Sequence, residues 1–114
     1  MEARKFAEFA AKALSDKKAE EIDVLHIEAL SNVTDYFIIC TGTSSVHNKS
    51  LCDHVLEKAE EQGISPLRIE GKQASGWILM DFGHVVIHIF KKDLRDFYGL
   101  DRLWSDAEKI NINF

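Results

Sequence analysis

The sequence predicts a single α/β domain, a mixed and mostly five-stranded sheet flanked by helices. Three observations lead there. The run Tyr36-Phe37-Ile38-Ile39-Cys40 is apolar without alternation, the pattern of a strand covered on both faces near the centre of an α/β sheet. A Gly/Ser turn and an amphipathic helical pattern follow it directly, as in a strand–helix–strand unit. Two further strand patterns flank Gly83-His84, which suits a two-residue hairpin turn and makes the sheet mixed.

Taken in order, the first element is a helix. Phe6, Phe9, Ala10, Ala13 and Leu14 recur at helical spacing, and Ser15-Asp16 ends the pattern. Residues 17–21 form a charged connector. Residues 23–30 read as a strand with Leu25, Ile27 and Ala29 on one face. After the strand at 36–40, Ser44 or Ser45 caps a helix carrying Leu51, Val55 and Ala59, and Gly63 closes it. Leu67 and Ile69 alternate with polar neighbours as in a half-exposed strand, expected to lie parallel to 36–40. A loop at 71–76 leads into strands 77–82 and 85–90. Asp93 caps a short helix ending near Gly99, and residues 100–104 pack back as a final turn. Residues 106–114 read as a loose polar tail.

With 114 residues the chain suits one domain. Area scaling gives a folded surface of roughly 6,300 Å² against roughly 19,000 Å² unfolded, enough burial for a core without disulfides or metals. Acidic residues outnumber basic ones, 19 to 14, for a net charge of −5. That balance lacks the positive footprint of general nucleic-acid binding and favours a basic protein partner. Cys40 and Cys52 form no C-x-x-C pair and read as free buried thiols of a cytosolic protein. The charged, periodic amino terminus is not a secretory signal, and no apolar run approaches the ~20 residues of a membrane span.

Catalytic signals are weak. The turn Thr41-Gly42-Thr43-Ser44-Ser45 opens a helix and so presents N–H groups suited to phosphate, but it lacks the lysine of a P-loop and the spacing of a dinucleotide fingerprint. Nucleotidyltransferases also use a strand–Gly–Ser–helix element. They need paired carboxylates on the following strand for two Mg²⁺ ions, and here that strand offers Glu70 alone. An ordinary capped turn is expected, with a Mg-dependent nucleotidyltransferase or nucleotide-binding protein as the alternative. The histidines give no zinc spacing, since His84 and His88 lack a third ligand and His47 and His54 are too far apart along a helix. No metal, cofactor or catalytic residue is expected.

The hairpin is more informative. Trp77, Leu79 and Asp81 alternate onto one face, and Ile78, Met80 and Phe82 onto the other. An open face bearing large apolar residues beside a carboxylate suits a basic partner. The sequence leaves undecided which face is open, or whether helices cover both.

Several motifs in order resemble one family. They are residues 35–45 (Asp-Tyr-Phe-Ile-Ile-Cys-Thr-Gly-Thr-Ser-Ser), 66–71 (Pro-Leu-Arg-Ile-Glu-Gly), 77–81 with Gly83, 85–90, and Arg95, Tyr98, Leu100, Leu103 and Trp104. Together they resemble the bacterial ribosomal silencing factors, also called the Iojap-like family. The resemblance implies a nucleotidyltransferase-like fold without its catalytic carboxylates, in a domain of residues 1–105 followed by a polar tail, 106–114. It also implies a non-enzymatic, cytoplasmic repressor of translation. Such proteins bind the large-subunit ribosomal protein numbered fourteen on the face that meets the small subunit, block subunit joining, and form homodimers when free. Two departures stand out. His84 replaces an Asp common among relatives, and the tail runs past the point where many of them stop.

The partner-binding set expected from this resemblance is Trp77, Ile78, Met80, Asp81 and His88. Trp77, Ile78 and Met80 would supply apolar anchors, and Asp81 would pair with a cation on the partner. His88, like Tyr98 and Trp104, would hold the hairpin and the carboxy-terminal turn in place.

Overall fold

A computed structural model describes residues 1–72 and 76–114, so part of the expected loop at 71–76 lies outside the described residues. The elements are α1 (Ala3–Asp16), β1 (Glu20–His26), β2 (Tyr36–Gly42), α2 (Ser45–Glu61), β3 (Arg68–Glu70), β4 (Trp77–Asp81), β5 (Val85–Lys91), α3 (Lys92–Tyr98), α4 (Leu100–Leu103) and β6 (Glu108–Lys109). The strands form one sheet in the order β3-β4-β5-β2-β1-β6. Its exposed surface of 6538 Å² is close to the roughly 6,300 Å² that chain length alone predicts.

Local chemistry explains most boundaries. The Ser44 hydroxyl accepts the His47 N–H at 3.0 Å and caps α2. At the other end Gly63 takes φ +71°, Gly63 N–H donates to Glu60 O, and Ile64 N–H donates to Ala59 O. Those two bonds satisfy carbonyls that the helix itself leaves free. Gly83 takes φ +92° at the hairpin, where Phe82 N–H donates to Val85 O at 2.9 Å. Asp93 does not cap α3. Lys91 holds the cap position without a side-chain bond, and Asp93 sits inside the first turn, its carboxylate accepting from Leu94 N–H.

Strand pairing departs from expectation in two places. The parallel partner of β2 is β5, not β3; β3 pairs antiparallel with β4, and β4 with β5. A central strand needs a neighbour that is also covered on both faces, and β5 supplies one, buried from Val85 to Phe90. β3 has three residues and a largely exposed pattern, so it belongs at the edge.

The second departure is the tail. Its residues Ile110, Ile112 and Phe114 alternate, and the chain uses that alternation. Leu25 pairs with Lys109 and His26 with Glu108, which adds a sixth strand to the expected five. Ile110 is buried and its N–H donates to Val24 O at 2.8 Å.

Side-chain alternation splits the apolar residues into two clusters. On one face of the sheet Ile38, Cys40, Ile78, Met80, Ile87 and Ile89 meet Phe6, Ala10 and Leu14 of α1 and Leu51, Val55 and Ala59 of α2. The other face carries a smaller cluster of Leu25, Ile27, Ile39 and Phe90, covered by Leu94, Leu100, Trp104 and Ala107. The main core thus lies under α1 and α2. The short helices α3 and α4 are too small to cover all of the second face.

Candidate functional site

Among the described residues the second face is open at the β3–β4 end. Register places Glu70, Leu79, His88 and Ile39 in one row across β3, β4, β5 and β2, and Arg68, Asp81, Val86 and Phe37 in the next. Trp77 pairs with Phe90. α3 packs against β5 and β2. Ile39 and Phe90 are fully buried, whereas Trp77, Leu79 and Asp81 are only half-buried.

Aromatic rings continue this surface onto α3. The Trp77 ring lies 4.9 Å from Phe90 and 4.7 Å from Tyr98, and Phe97 meets Tyr98 edge-on at 5.2 Å. Phe97 is 76% exposed, far more than an aromatic residue retained for packing. Charge rims the strip. Arg68 stands between Glu70, at 3.3 Å, and Asp81, at 3.4 Å. The Asp81 carboxylate also accepts the Gly83 N–H at 2.8 Å. Asp81 therefore carries a partner from its own chain, and a cation from outside would have to join or displace Arg68.

Two of the expected anchors are not on this surface. Ile78 is 1% exposed and Met80 0%, both in the main core under α1 and α2. The reason is parity, because neighbours on a strand point to opposite faces, so Trp77 and Ile78 cannot both anchor one partner. Leu79 is the residue that shares the half-buried strand face of Trp77. The same period of two that pairs Trp77 with Asp81 marks Leu79 in the sequence. Phe97 carried no comparable signal and Tyr98 was expected only to hold the carboxy-terminal turn, since a seven-residue helix gives too little periodicity to assign a face.

His88 lies beneath the strip and is buried. The Trp77 indole N–H donates to its Nδ1 at 3.1 Å. Phe37 meets the imidazole edge-to-face at 4.7 Å, and Phe90 lies nearly parallel to it at 6.2 Å. Burial pushes its pKa down from 6.5 to about 4, so the ring is neutral at physiological pH. A depressed histidine pKa means that the unfolded chain takes the proton more readily. The stability it confers is complete above about pH 6.5 and is lost as pH falls toward 4. At about 1.4 kcal/mol per unit, the loss between pH 7 and pH 4 is about 3 kcal/mol. Urea unfolding at both pH values should show a smaller acid loss in His88→Leu than in the native chain. Equal losses would contradict this.

The Gly/Ser turn is occupied by its own chain. Thr43 N–H donates to His47 Nδ1 at 2.9 Å, His47 Nε2 bonds Lys17 O at 2.8 Å, and Ser44 takes the His47 N–H. Beside it lies an open cleft of about 730 Å³ lined by Thr41, Gly42 and Thr43, with four carboxylates (Glu20, Glu21, Asp93 and Asp96) against Lys91 and Lys92. That lining disfavours a polyphosphate. Among the described residues no group of three or more His, Cys, Asp or Glu side chains is placed to hold a metal ion. Gly42 is required for space, since a Cβ there would strike the buried Asn48 amide. Gly42→Ala should cost about 1–3 kcal/mol by overpacking, read as a lower urea midpoint with an unchanged slope. An unchanged midpoint would show that Asn48 moves aside freely.

Comparison with known proteins gives this surface its context. The family model described as ribosomal silencing factor during starvation matches residues 1–114. The chain belongs to the ribosomal silencing factor family. A ribosomal silencing factor of Bacillus subtilis is 39% identical over 114 residues, covering 100% of this chain and 97% of the relative. One from Halalkalibacterium halodurans is 37% identical over 112 residues, covering 98% and 96%. A crystal structure of a Chromobacterium violaceum protein superposes with a TM-score of 0.89 at 31% identity, covering 100% of this chain and 94% of that one.

The family match reaches the last residue, so the tail that forms β6 lies within the shared region. His84, at a position where an acid was the expectation for a silencing factor, turns to Asp35, its Nδ1 3.0 Å from the carboxylate. Both thiols are buried, Cys40 pushed up to about 12 and Cys52 to about 11 by desolvation, so neither is a nucleophile at neutral pH. Among the described residues no helix is long and apolar enough to cross a membrane.

Proposed function

We propose that this silencing factor acts by occlusion, without chemistry of its own. Its open half-face docks on a protein of the large ribosomal subunit, the one numbered fourteen, on the face that meets the small subunit. The bound domain then blocks joining and represses translation in the cytoplasm. The observation that carries this reading is the strip of exposed Phe97 and Tyr98 with half-buried Trp77 and Leu79, beside Arg68, Glu70 and Asp81. Exposed aromatics next to charge are the make-up of interface hot spots. A standard interface takes about 800 Å² from each partner, about an eighth of this chain's 6538 Å². With a radius of gyration of 12.7 Å, the rest of the domain stands clear of the contact and fills intersubunit space.

The net charge of −5 adds attraction toward a basic ribosomal protein and repulsion from bare RNA, which points the contact at protein. In isolation the same apolar strip is available to a second copy, so self-association and docking compete. The test is cosedimentation with purified large subunits, followed by a joining assay with small subunits. The chain should sediment with large subunits and lower the yield of joined particles in proportion to occupancy. A folded chain that stays in the supernatant at micromolar concentration would overturn the reading, since a Kd of 1 μM corresponds to about −8 kcal/mol and silencing needs at least that.

A further inference from the structure

The imidazole of His88 is out of place on its strand. The run Val85-Val86-Ile87-His88-Ile89-Phe90 is otherwise apolar, and every residue in it is buried. Any aliphatic side chain could fill the position without a polar atom to satisfy. Because Nδ1 accepts the Trp77 indole N–H, the ring proton sits on Nε2. That atom is buried and has no hydrogen-bond partner among the described residues. A buried unpaired donor is a cost, and a native fold keeps one where something else is gained. Here the visible gain is the bond to Trp77, whose ring forms the centre of the open strip.

We propose that His88 is a positioning residue for the docking surface: its Nδ1 holds the Trp77 indole in the single orientation that the ribosomal partner meets. The inference rests on the docking reading above and assigns the specificity of that face to a buried acceptor. Without the acceptor the indole N–H loses this bond and the ring one restraint on its orientation, which the partner must then supply on binding, at a cost in affinity. Phe90 stacks on the ring and Tyr98 packs against it at a tilt, but neither selects which edge faces inward.

The test combines two readouts on the intact chain. In ¹⁵N-labelled protein, with Trp104→Phe to assign the remaining indole, the Trp77 Nε1–H resonance should be shifted and protected from solvent exchange. His88→Leu should lose both features, and His88→Asn, whose amide oxygen sits near the place of Nδ1, should keep them. In cosedimentation, Trp77→Phe and His88→Leu should each weaken docking by about tenfold. Combined, they should cost no more than either alone, and His88→Asn should stay within about threefold of the native chain. A further tenfold loss for His88→Leu in the Trp77→Phe background would show a merely structural role and overturn the proposal. So would an indole signal unchanged by His88→Leu. Absence of docking by the native chain would instead overturn the docking reading, while the indole signal would still report whether His88 holds the ring.

Discussion

Trp77→Ala should lower affinity for the large subunit by about thirtyfold or more, the largest effect of any single change on the open face. The reasoning is geometric. Trp77 is half-buried, stacks on Phe90, meets Tyr98 at a tilt, and lies where the aromatic strip crosses from the sheet to α3. A central aromatic anchor of this kind is worth about 2 kcal/mol or more at an interface, and each 1.4 kcal/mol is tenfold. Leu79→Asp, on the same strand face, should act in the same direction without removing the stack. The decisive controls are the neighbours of opposite parity. Ile78→Ala and Met80→Ala leave cavities under α1 and α2, so each should cost about 2–5 kcal/mol of stability. Neither should change the affinity of the folded fraction. Cosedimentation below the unfolding range, with circular dichroism to fix the folded fraction, separates the two effects. A loss of docking for folded Ile78→Ala equal to that of Trp77→Ala would place the contact on the other face and refute the assignment.

That contrast shows where the sequence was readable and where it was not. Period-two patterns assigned the face of every residue in β4, and one continuous apolar run marked the central strand β2, while 85–90 was legible only as one arm of a hairpin. Which face of β4 is open depends on where α1, α2 and α3 lie in space, and no local pattern carries that. The parallel pairing failed for the same reason. β3 follows α2 in the chain, but adjacency in sequence does not oblige adjacency in the sheet, and burial of β2 on both faces selects β5. The tail was misread because three alternating apolar residues are too few to raise a strand above a polar background. Only the free edge of β1 gives Ile110 somewhere to go. At the turn after β2, an ordinary capped turn is expected from the sequence, with phosphate binding as the alternative, and neither explains why Gly42 is glycine. It is glycine because Asn48 lies against it, a contact between residues six apart that spacing alone does not suggest.

Arg95→Met should be the most destabilising change in the second layer, costing about 3–5 kcal/mol. Arg95 is 4% exposed, on the helix that carries Phe97 and Tyr98. A guanidinium has five N–H donors, and five bonds are made here. Nε and Nη2 grip both oxygens of Asp101 at 3.0 Å, Nη2 also meets Asp23 at 2.9 Å, and Nη1 donates to Thr41 Oγ1 at 2.9 Å and Glu21 O at 2.6 Å. One side chain thereby ties α3 and α4 to β1 and β2. Burial alone would lower its pKa, but the hydrogen bond and charge of Asp101, with Asp23 and Glu21, raise it, so the charge is retained. Asp101 is held below the usual carboxylate range chiefly by that same hydrogen bond. Its contribution is present above the unfolded pKa and fades as acid approaches the folded one. Removing the cation takes the forked contact from Asp101, leaves Asp23 with Lys109 at 3.6 Å, and takes a buried donor from Thr41 and the Glu21 carbonyl, which is why the loss exceeds that of a surface pair. Lysine cannot make the forked contact, so Arg95→Lys should recover only a small part. For a domain of this length the change should lower Tm by roughly 12–20 °C. Native stability is of the order of 5–15 kcal/mol, so the variant sits near the folding threshold and α3 should open first in hydrogen exchange. A loss under about 1 kcal/mol would mean that the cluster is solvated and that α3 is held by Leu94 and Trp104 instead. In that case the aromatic strip would owe its shape to packing rather than to a buried ion cluster.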